Sequence, residues 1–152
     1  MQKPLNEMTL VFLSRSANES FSRSAAAAFF SQLDPTVEEL ADIKTAVSEA
    51  VTNCIVHAYR ETLGKIKMTA RIYEGGQVYI QIKDTGCGIP DVKQAMEPLF
   101  TTCETGERAG LGFAVMQSFM DKVSVHSKPG KGTTVTLRKT LSSKTANDPQ
   151  SR

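Results

Sequence analysis

Ile66, Met68, Ala70 and Ile72 alternate with polar residues, and Val78, Ile80 and Ile82 do so again beyond Gly75-Gly76. A period of two predicts a pair of strands joined as a hairpin with one apolar face. A sheet of this kind needs a second layer to cover that face. The chain ahead of the hairpin carries the helical signals that would supply it.

Ser16-Ala17-Asn18-Glu19 fits a capping box, with Ser16 as N-cap and Glu19 reaching back. It predicts a helix to about Leu33 with Phe21, Ala25, Ala28 and Phe29 on its apolar face. Asp34-Pro35 reads as a second helix start, proline at the first helical position losing nothing by its missing N–H. That helix would run to about Arg60, with Leu40, Ile43, Val47, Ala50, Val51, Cys54 and Ala58 as its core stripe. Met8, Leu10 and Phe12 give a weak strand signal suited to a sheet edge. Residues 91–96 suggest a short helix, 98–109 a mobile lid without apolar periodicity, and Gly110 to Met120 a further helix. Val123 and Val125, the turn at Pro129-Gly130-Lys131-Gly132, and Val135 and Leu137 predict a closing hairpin. The order β-α-α-β-β-α-β-β points to an α+β fold, a two-layer sandwich of helices on one face of a mixed sheet. One domain is expected over 1–141, with 142–152 a polar, disordered tail.

Composition excludes several classes of function. With 18 Lys and Arg against 16 Asp and Glu, and no basic block, nothing asks for nucleic acid or an anionic membrane. The longest apolar run, Ala25 to Phe30, is far below the roughly 20 residues that cross a bilayer, and no leader pattern opens the chain, so a cytoplasmic protein is expected. Cys54, Cys87 and Cys103 are odd in number and lack metal-site spacing, and read as free structural thiols.

Within the second helix, Glu49, Asn53 and His57 fall one turn apart on one side. Glu49 could take a proton from an attacking hydroxyl or water, and Asn53 is a neutral oxygen ligand suited to Mg²⁺. By themselves these two read as a solvated helix face. His57 reads as a packing or capping residue. Asp84-Thr85-Gly86-Cys87-Gly88 places a carboxylate at a strand end before two residues without side chains, so a ring can pack on the loop while Asp84 accepts from an exocyclic amine. As a short pattern it reads equally as a turn. Gly110-Leu111-Gly112 at a helix start offers N–H groups and a positive helix end to phosphate. In this order and spacing the three weak motifs support one another. Glu19 and Arg23, four apart on the first helix, read at face value as an exposed ion pair.

Together, Glu49-x-x-x-Asn53, Asp84-Thr85-Gly86-Cys87-Gly88-Ile89 and Gly110-Leu111-Gly112-Phe113 resemble the GHKL ATP-binding fold of gyrase, Hsp90, histidine kinases and MutL. Within it, residues 5–140 resemble the anti-sigma F factors, serine kinases of sporulating Gram-positive bacteria. Ser48-Glu49-Ala50-Val51-Thr52-Asn53, Pro98-Leu99-Phe100-Thr101-Thr102 and Asn18-Glu19-Ser20-Phe21 carry the closer likeness. The resemblance implies ATP or ADP with Mg²⁺ as cofactors, Glu49 as catalytic base and Asn53 as the Mg²⁺ ligand. It implies Asp84, Gly86 and Gly88 at adenine, with Thr133 or Thr134 nearby. Thr101, Thr102, Arg108, Gly110, Leu111 and Gly112 would serve the phosphates. The implied partners are sigma factor F and an anti-anti-sigma factor phosphorylated on serine. The chain would act as a homodimer, and Glu19 and Arg23 would touch the partners. A nucleotide-sensing regulator without phosphoryl transfer is the alternative; a histidine kinase catalytic domain is disfavoured for want of a phospho-accepting helical hairpin.

Overall fold

The computed structural model describes residues 2–96 and 112–142. Its elements are β1 (Asn6–Leu13), α1 (Ala17–Phe30), α2 (Val37–Asn53), β2 (Lys65–Tyr73), β3 (Gln77–Asp84), α3 (Val92–Ala95), α4 (Phe113–Phe119), β4 (Lys122–Lys128) and β5 (Gly132–Thr140). A turn of 3-10 helix, Ser31–Leu33, follows α1, and a π-helical turn, Cys54–Ala58, follows α2.

The strands form one five-stranded sheet in the order β1-β2-β3-β5-β4. The weakly signalled β1 does lie at its edge, paired to β2 from Asn6↔Ile72 to Leu13↔Lys65. The α+β sandwich stands, but every strand pairing among the described residues is antiparallel rather than mixed. The crossover after β3 returns β4 parallel to it. The closing hairpin then inserts β5 between the two, so the parallel strands never touch. That insertion sets Thr133 opposite Asp84.

The alternating residues of the central hairpin are all buried, and they join Ile43, Ala46, Val47, Ala50 and Val51 of α2 with Phe113 and Met116 of α4 in one core. Truncating Phe30 or Phe113, both fully buried, would cost on the order of 3–5 kcal/mol. On α1 the buried stripe is Ser22, Ala26 and Phe30, one residue on from the predicted face, and Phe21 is half-exposed with its ring edge-on to Phe12 at 6.4 Å. The serine at position 22 hides its hydroxyl by donating to Glu19 O at 2.8 Å, so a polar residue occupies a core position that apolar periodicity overlooks.

Both predicted helix starts shift in detail. Ser16 does precede α1, but its backbone is already helical (φ −58°, ψ −32°) and its side chain makes no cap. An N-cap needs extended backbone to aim its oxygen into the first turn. Glu19 turns to Arg23 instead. Asp34 adopts a left-handed conformation (φ 52°, ψ 53°) that closes the 3-10 turn, and α2 is capped two residues later. Thr36 Oγ1 accepts from Glu39 N at 3.0 Å while Glu39 Oε1 accepts from Thr36 N at 2.9 Å. This reciprocal box is worth about 0.5–2 kcal/mol.

Candidate nucleotide site

The long helix expected to Arg60 stops being α-helical after Asn53. From Cys54 to Ala58 it widens by one residue per turn, and Tyr59 N–H donates to Cys54 O at 3.0 Å. Such bulges re-aim carbonyls that a regular helix would consume. Here Ala58 O accepts from Cys87 N at 3.2 Å and His57 O accepts from Cys87 Sγ at 3.2 Å. The expected row of three therefore divides: Glu49 and Asn53 stay one turn apart on α2, both half-buried, while His57 belongs to the wide turn that grips the loop after β3.

That loop approaches the wide turn so closely that a Cβ on Gly86 would overlap Ala58 O. At Gly88 the backbone is left-handed (φ 79°) and a Cβ would overlap Lys128 O. Glycine at both positions is thus a requirement of close approach and of backbone shape. Tyr59 completes the grip. Its hydroxyl accepts from Thr85 N at 2.7 Å and donates to Lys65 O at 2.8 Å.

Asp84 is buried at the end of β3, 5% exposed. Its Oδ1 accepts from Gly86 N at 2.9 Å and from Thr133 N at 3.2 Å. Its Oδ2 meets Cys54 Sγ at 3.5 Å. Burial pushes the Cys54 thiol well above its usual range, and the neighbouring Asp84 carboxylate adds to the shift, so the sulfur is a neutral donor. One carboxylate oxygen is thereby anchored by two backbone donors, and among the described residues the other is held only by a weak thiol bond.

Thr133 and Thr134 part company. Thr133 pairs with Asp84 and is buried on the helix side of the sheet. Thr134 pairs with Lys83, and strand alternation turns its side chain to the opposite face, although it lines a common cleft with Asp84 and Thr133. Ser127 Oγ accepts from Ile89 N at 2.7 Å, bonds Gly132 O at 3.0 Å and lies 2.7 Å from Thr133 Oγ1. With its single proton given to Gly132 O, the serine receives the threonine proton. Gly130 N–H donates to Cys87 O at 2.6 Å, tying the β4–β5 turn to the same loop.

Gly112 caps α4 in a left-handed conformation (φ 71°). Thr101, Thr102, Arg108, Gly110 and Leu111, with the lid they belong to, lie outside the described residues, as does the tail beyond residue 142. Arg23 Nη1 reaches Glu19 Oε1 at 3.0 Å and Ser48 Oγ at 3.2 Å, so the pair is more than a surface contact. It ties α1 to the residue preceding Glu49. Among the described residues no group of three or more His, Cys, Asp or Glu could hold a metal ion, and no helix is long and apolar enough to cross a membrane. Cys54, Tyr59 and Ser127 are the site residues that sequence reasoning missed. Of these, only Tyr59 carried a signal, an amphipathic ring at a helix end.

An antiparallel sheet covered on one face by helices, with a buried aspartate at a strand end beneath a glycine loop, defines a nucleotide-binding domain of the GHKL class. A family model for the histidine kinase-like ATPase domain matches residues 14–139. The anti-sigma F factor of Thermoanaerobacter sp. (strain X514) is 57% identical over 138 residues, 91% of this chain and 96% of the relative. Those of Caldanaerobacter subterraneus subsp. tengcongensis and Geobacillus kaustophilus are 59% and 53% identical, each over 134 residues and 88% of this chain, and over 93% and 92% of the relatives. The chain belongs to the histidine kinase-like ATPase family and, within it, to the anti-sigma F factors. Among solved structures, the RsbU and RsbW domains of a Mycobacterium tuberculosis protein superpose with a TM-score of 0.65 at 19% identity, over 91% of this chain and 32% of that one. The catalytic domain of the histidine kinase ThkA gives 0.57 at 17%, over 91% and 99%. These two share the fold.

Proposed function

We propose that this chain binds ATP or ADP with Mg²⁺, holds sigma factor F, and acts as a protein serine kinase that inactivates an anti-anti-sigma factor. The observation that carries the nucleotide part is the asymmetry of Asp84, with Oδ1 anchored by Gly86 and Thr133 and Oδ2 left for a stronger donor than a thiol. An adenine amine is such a donor. Gly86 and Gly88 keep side chains out of the space above it, and Thr133 lies alongside. Of the two threonines, only Thr133 fits this role.

Asn53 fits the metal by donor chemistry: a neutral amide oxygen on the helix wall, one ligand for an ion that takes most others from water and phosphate. Bound there, Mg²⁺ would neutralise charge on the phosphates. Glu49, one turn earlier and half-buried, would receive the proton of the attacking serine hydroxyl as its oxygen bonds to the γ-phosphorus and the bond to the β-phosphate breaks, releasing ADP. Gly112 belongs with the phosphates, and Thr101, Thr102, Arg108, Gly110 and Leu111 are assigned to them on resemblance alone. Glu19 and Arg23 would meet the partners on a homodimer of a cytoplasmic protein, one domain spanning 1–141.

The test is incubation of the protein with labelled ATP, Mg²⁺ and an anti-anti-sigma protein, with Glu49→Gln alongside. The variant should bind ATP and sigma factor normally and lose transfer to the serine by at least about a hundredfold, the scale of general base catalysis. Transfer at the normal rate would remove Glu49 as base. No transfer by either protein, with ATP bound by both, would leave a nucleotide sensor.

A further inference from the structure

Among the described residues, helices cover only one face of the sheet; the other is built from the outward residues of all the strands and is unusually cationic. Lys67 of β2 stands directly opposite Lys83 of β3, and Lys122 of β4 directly opposite Arg138 of β5. All four side chains are exposed. Like charges directly opposite one another destabilise an antiparallel pair, so two such pairs in one small sheet are a cost that packing does not explain. Among the described residues, none of these four cations forms an ion pair. Glu7, the one strand carboxylate on this face, is taken by Arg71. The whole chain exceeds neutrality by only +2, so the positive face arises from segregation, with Glu38, Glu39 and Asp42 placed on the helical layer.

The centre of the face is already ordered. The guanidinium groups of Arg71 and Arg138 lie over the Tyr79 ring at 5.2 and 4.7 Å, reaching it from the strands on either side of β3. Stacking holds a guanidinium with its N–H edge outward, ready for a carboxylate. At the end of β3, Lys83, His126, Lys128 and Lys131 line a cleft of about 260 Å³ that also reaches Asp84 and Thr133.

We propose that this uncovered face docks an acidic, extended segment of a partner protein, with carboxylates received between Lys67 and Lys83 and at Arg138 and Lys122. Carboxylates match the face better than nucleic acid does. Single-stranded nucleic acid is held by bases stacked on open aromatic rings, and Tyr79 is only 8% exposed beneath its two arginines. A sequence pI near 8.4 also falls short of the strongly basic balance of nucleic-acid-binding domains. Five strands about 4.8 Å apart span roughly 20 Å, the length of about six extended residues.

The full chain is titrated with a fluorescent deca-glutamate peptide at low and rising salt, and separately with oligothymidylate and with phosphatidylserine vesicles. Peptide binding that weakens with salt, and that drops about tenfold or more in a Lys67→Ser/Lys83→Ser double variant but not in Lys44→Ser, is the expected result. The double variant should melt no lower than the parent, because it removes a repulsive pair, so lost binding cannot be unfolding. Equal peptide binding by parent and double variant, no peptide binding by the parent, or tighter binding to oligothymidylate or vesicles than to the peptide would overturn the proposal.

Discussion

The Cys54 thiol meets Oδ2 of Asp84 at 3.5 Å and also lies 3.5 Å from the carbonyl of Ala50, so one weak proton is shared between a helix carbonyl and a buried carboxylate. The turn that follows α2 thereby touches the end of β3 through sulfur. Because the other carboxylate oxygen carries two backbone N–H bonds, the aspartate is fixed in position while its second oxygen stays available.

Asp84→Asn separates these two duties. The amide oxygen can keep the Gly86 and Thr133 donors, so the urea midpoint should change little. The amide nitrogen then occupies the Oδ2 position and presents donors to the donor of an adenine ring. Losing a hydrogen bond to a charged acceptor costs about 1.5–3 kcal/mol, which is roughly tenfold to a hundredfold in affinity. Calorimetry that finds unchanged ATP affinity would take adenine recognition away from Asp84.

Cys54 gives the fold a dependence on alkaline pH. In the folded chain burial holds the thiol protonated, with the Asp84 carboxylate adding to the shift, whereas the unfolded chain ionises it near the usual value of about 8.5. Above that pH the unfolded state binds fewer protons, so stability falls as pH rises, by up to about 1.4 kcal/mol per pH unit for this one group. Below it the contribution is fully present. Cys54→Ser cannot ionise and should show a flatter decline in urea midpoint between pH 8 and 10. Parallel declines in the two proteins would show that other groups set the slope.

The central hairpin was legible because its apolar residues obey a period of two and each of them is buried. Boundaries were less so, since they turn on backbone conformation rather than residue type. Asp34 and Thr36 are both good caps by composition. Only the left-handed backbone at Asp34 and the extended backbone at Thr36 (φ −70°, ψ 163°) decide between them. Nor does strand periodicity encode neighbours, which is why a mixed sheet was expected where β5 inserts between β3 and β4.

At the site, the glycine loop and the Glu49–Asn53 spacing are local patterns and could be read directly. The wide turn at Cys54–Ala58 could not. It exchanges regular helix bonds for contacts to Cys87 and Gly86, residues roughly 30 positions away along the chain. Ser127 was invisible for the same reason, being an ordinary strand serine until β4 brings it to Ile89 and Thr133.

Tyr59→Phe tests that grip. The substitution keeps the buried ring and removes only the oxygen that accepts from Thr85 N and donates to Lys65 O. Leaving these partly buried groups unpaired should cost about 1–3 kcal/mol in chemical denaturation. The loop carrying Asp84 and Gly88 loses an anchor, so nucleotide affinity should fall as well. Unchanged stability would mean that water replaces the hydroxyl without loss.

Arg23→Ala probes a residue that faces two ways. Its bonds to Glu19 and Ser48 are with partly exposed groups, the Arg23 side chain being 35% and Glu19 24% exposed, so solvent screening keeps their stabilisation at or below about 1 kcal/mol. The fold should survive with a small change in Tm. Partner affinity should drop by about tenfold or more if the guanidinium is a central contact, as arginines at interface centres commonly are. ATP affinity should stay within about twofold, since Arg23 touches Ser48 and no residue assigned to adenine. Surface binding measurements with sigma factor F, paired with ATP titration of the same protein, separate these outcomes. Equal partner affinity would return the Glu19–Arg23 pair to a purely structural link between α1 and α2, while a large loss of ATP affinity would show that Ser48 transmits the change to Glu49.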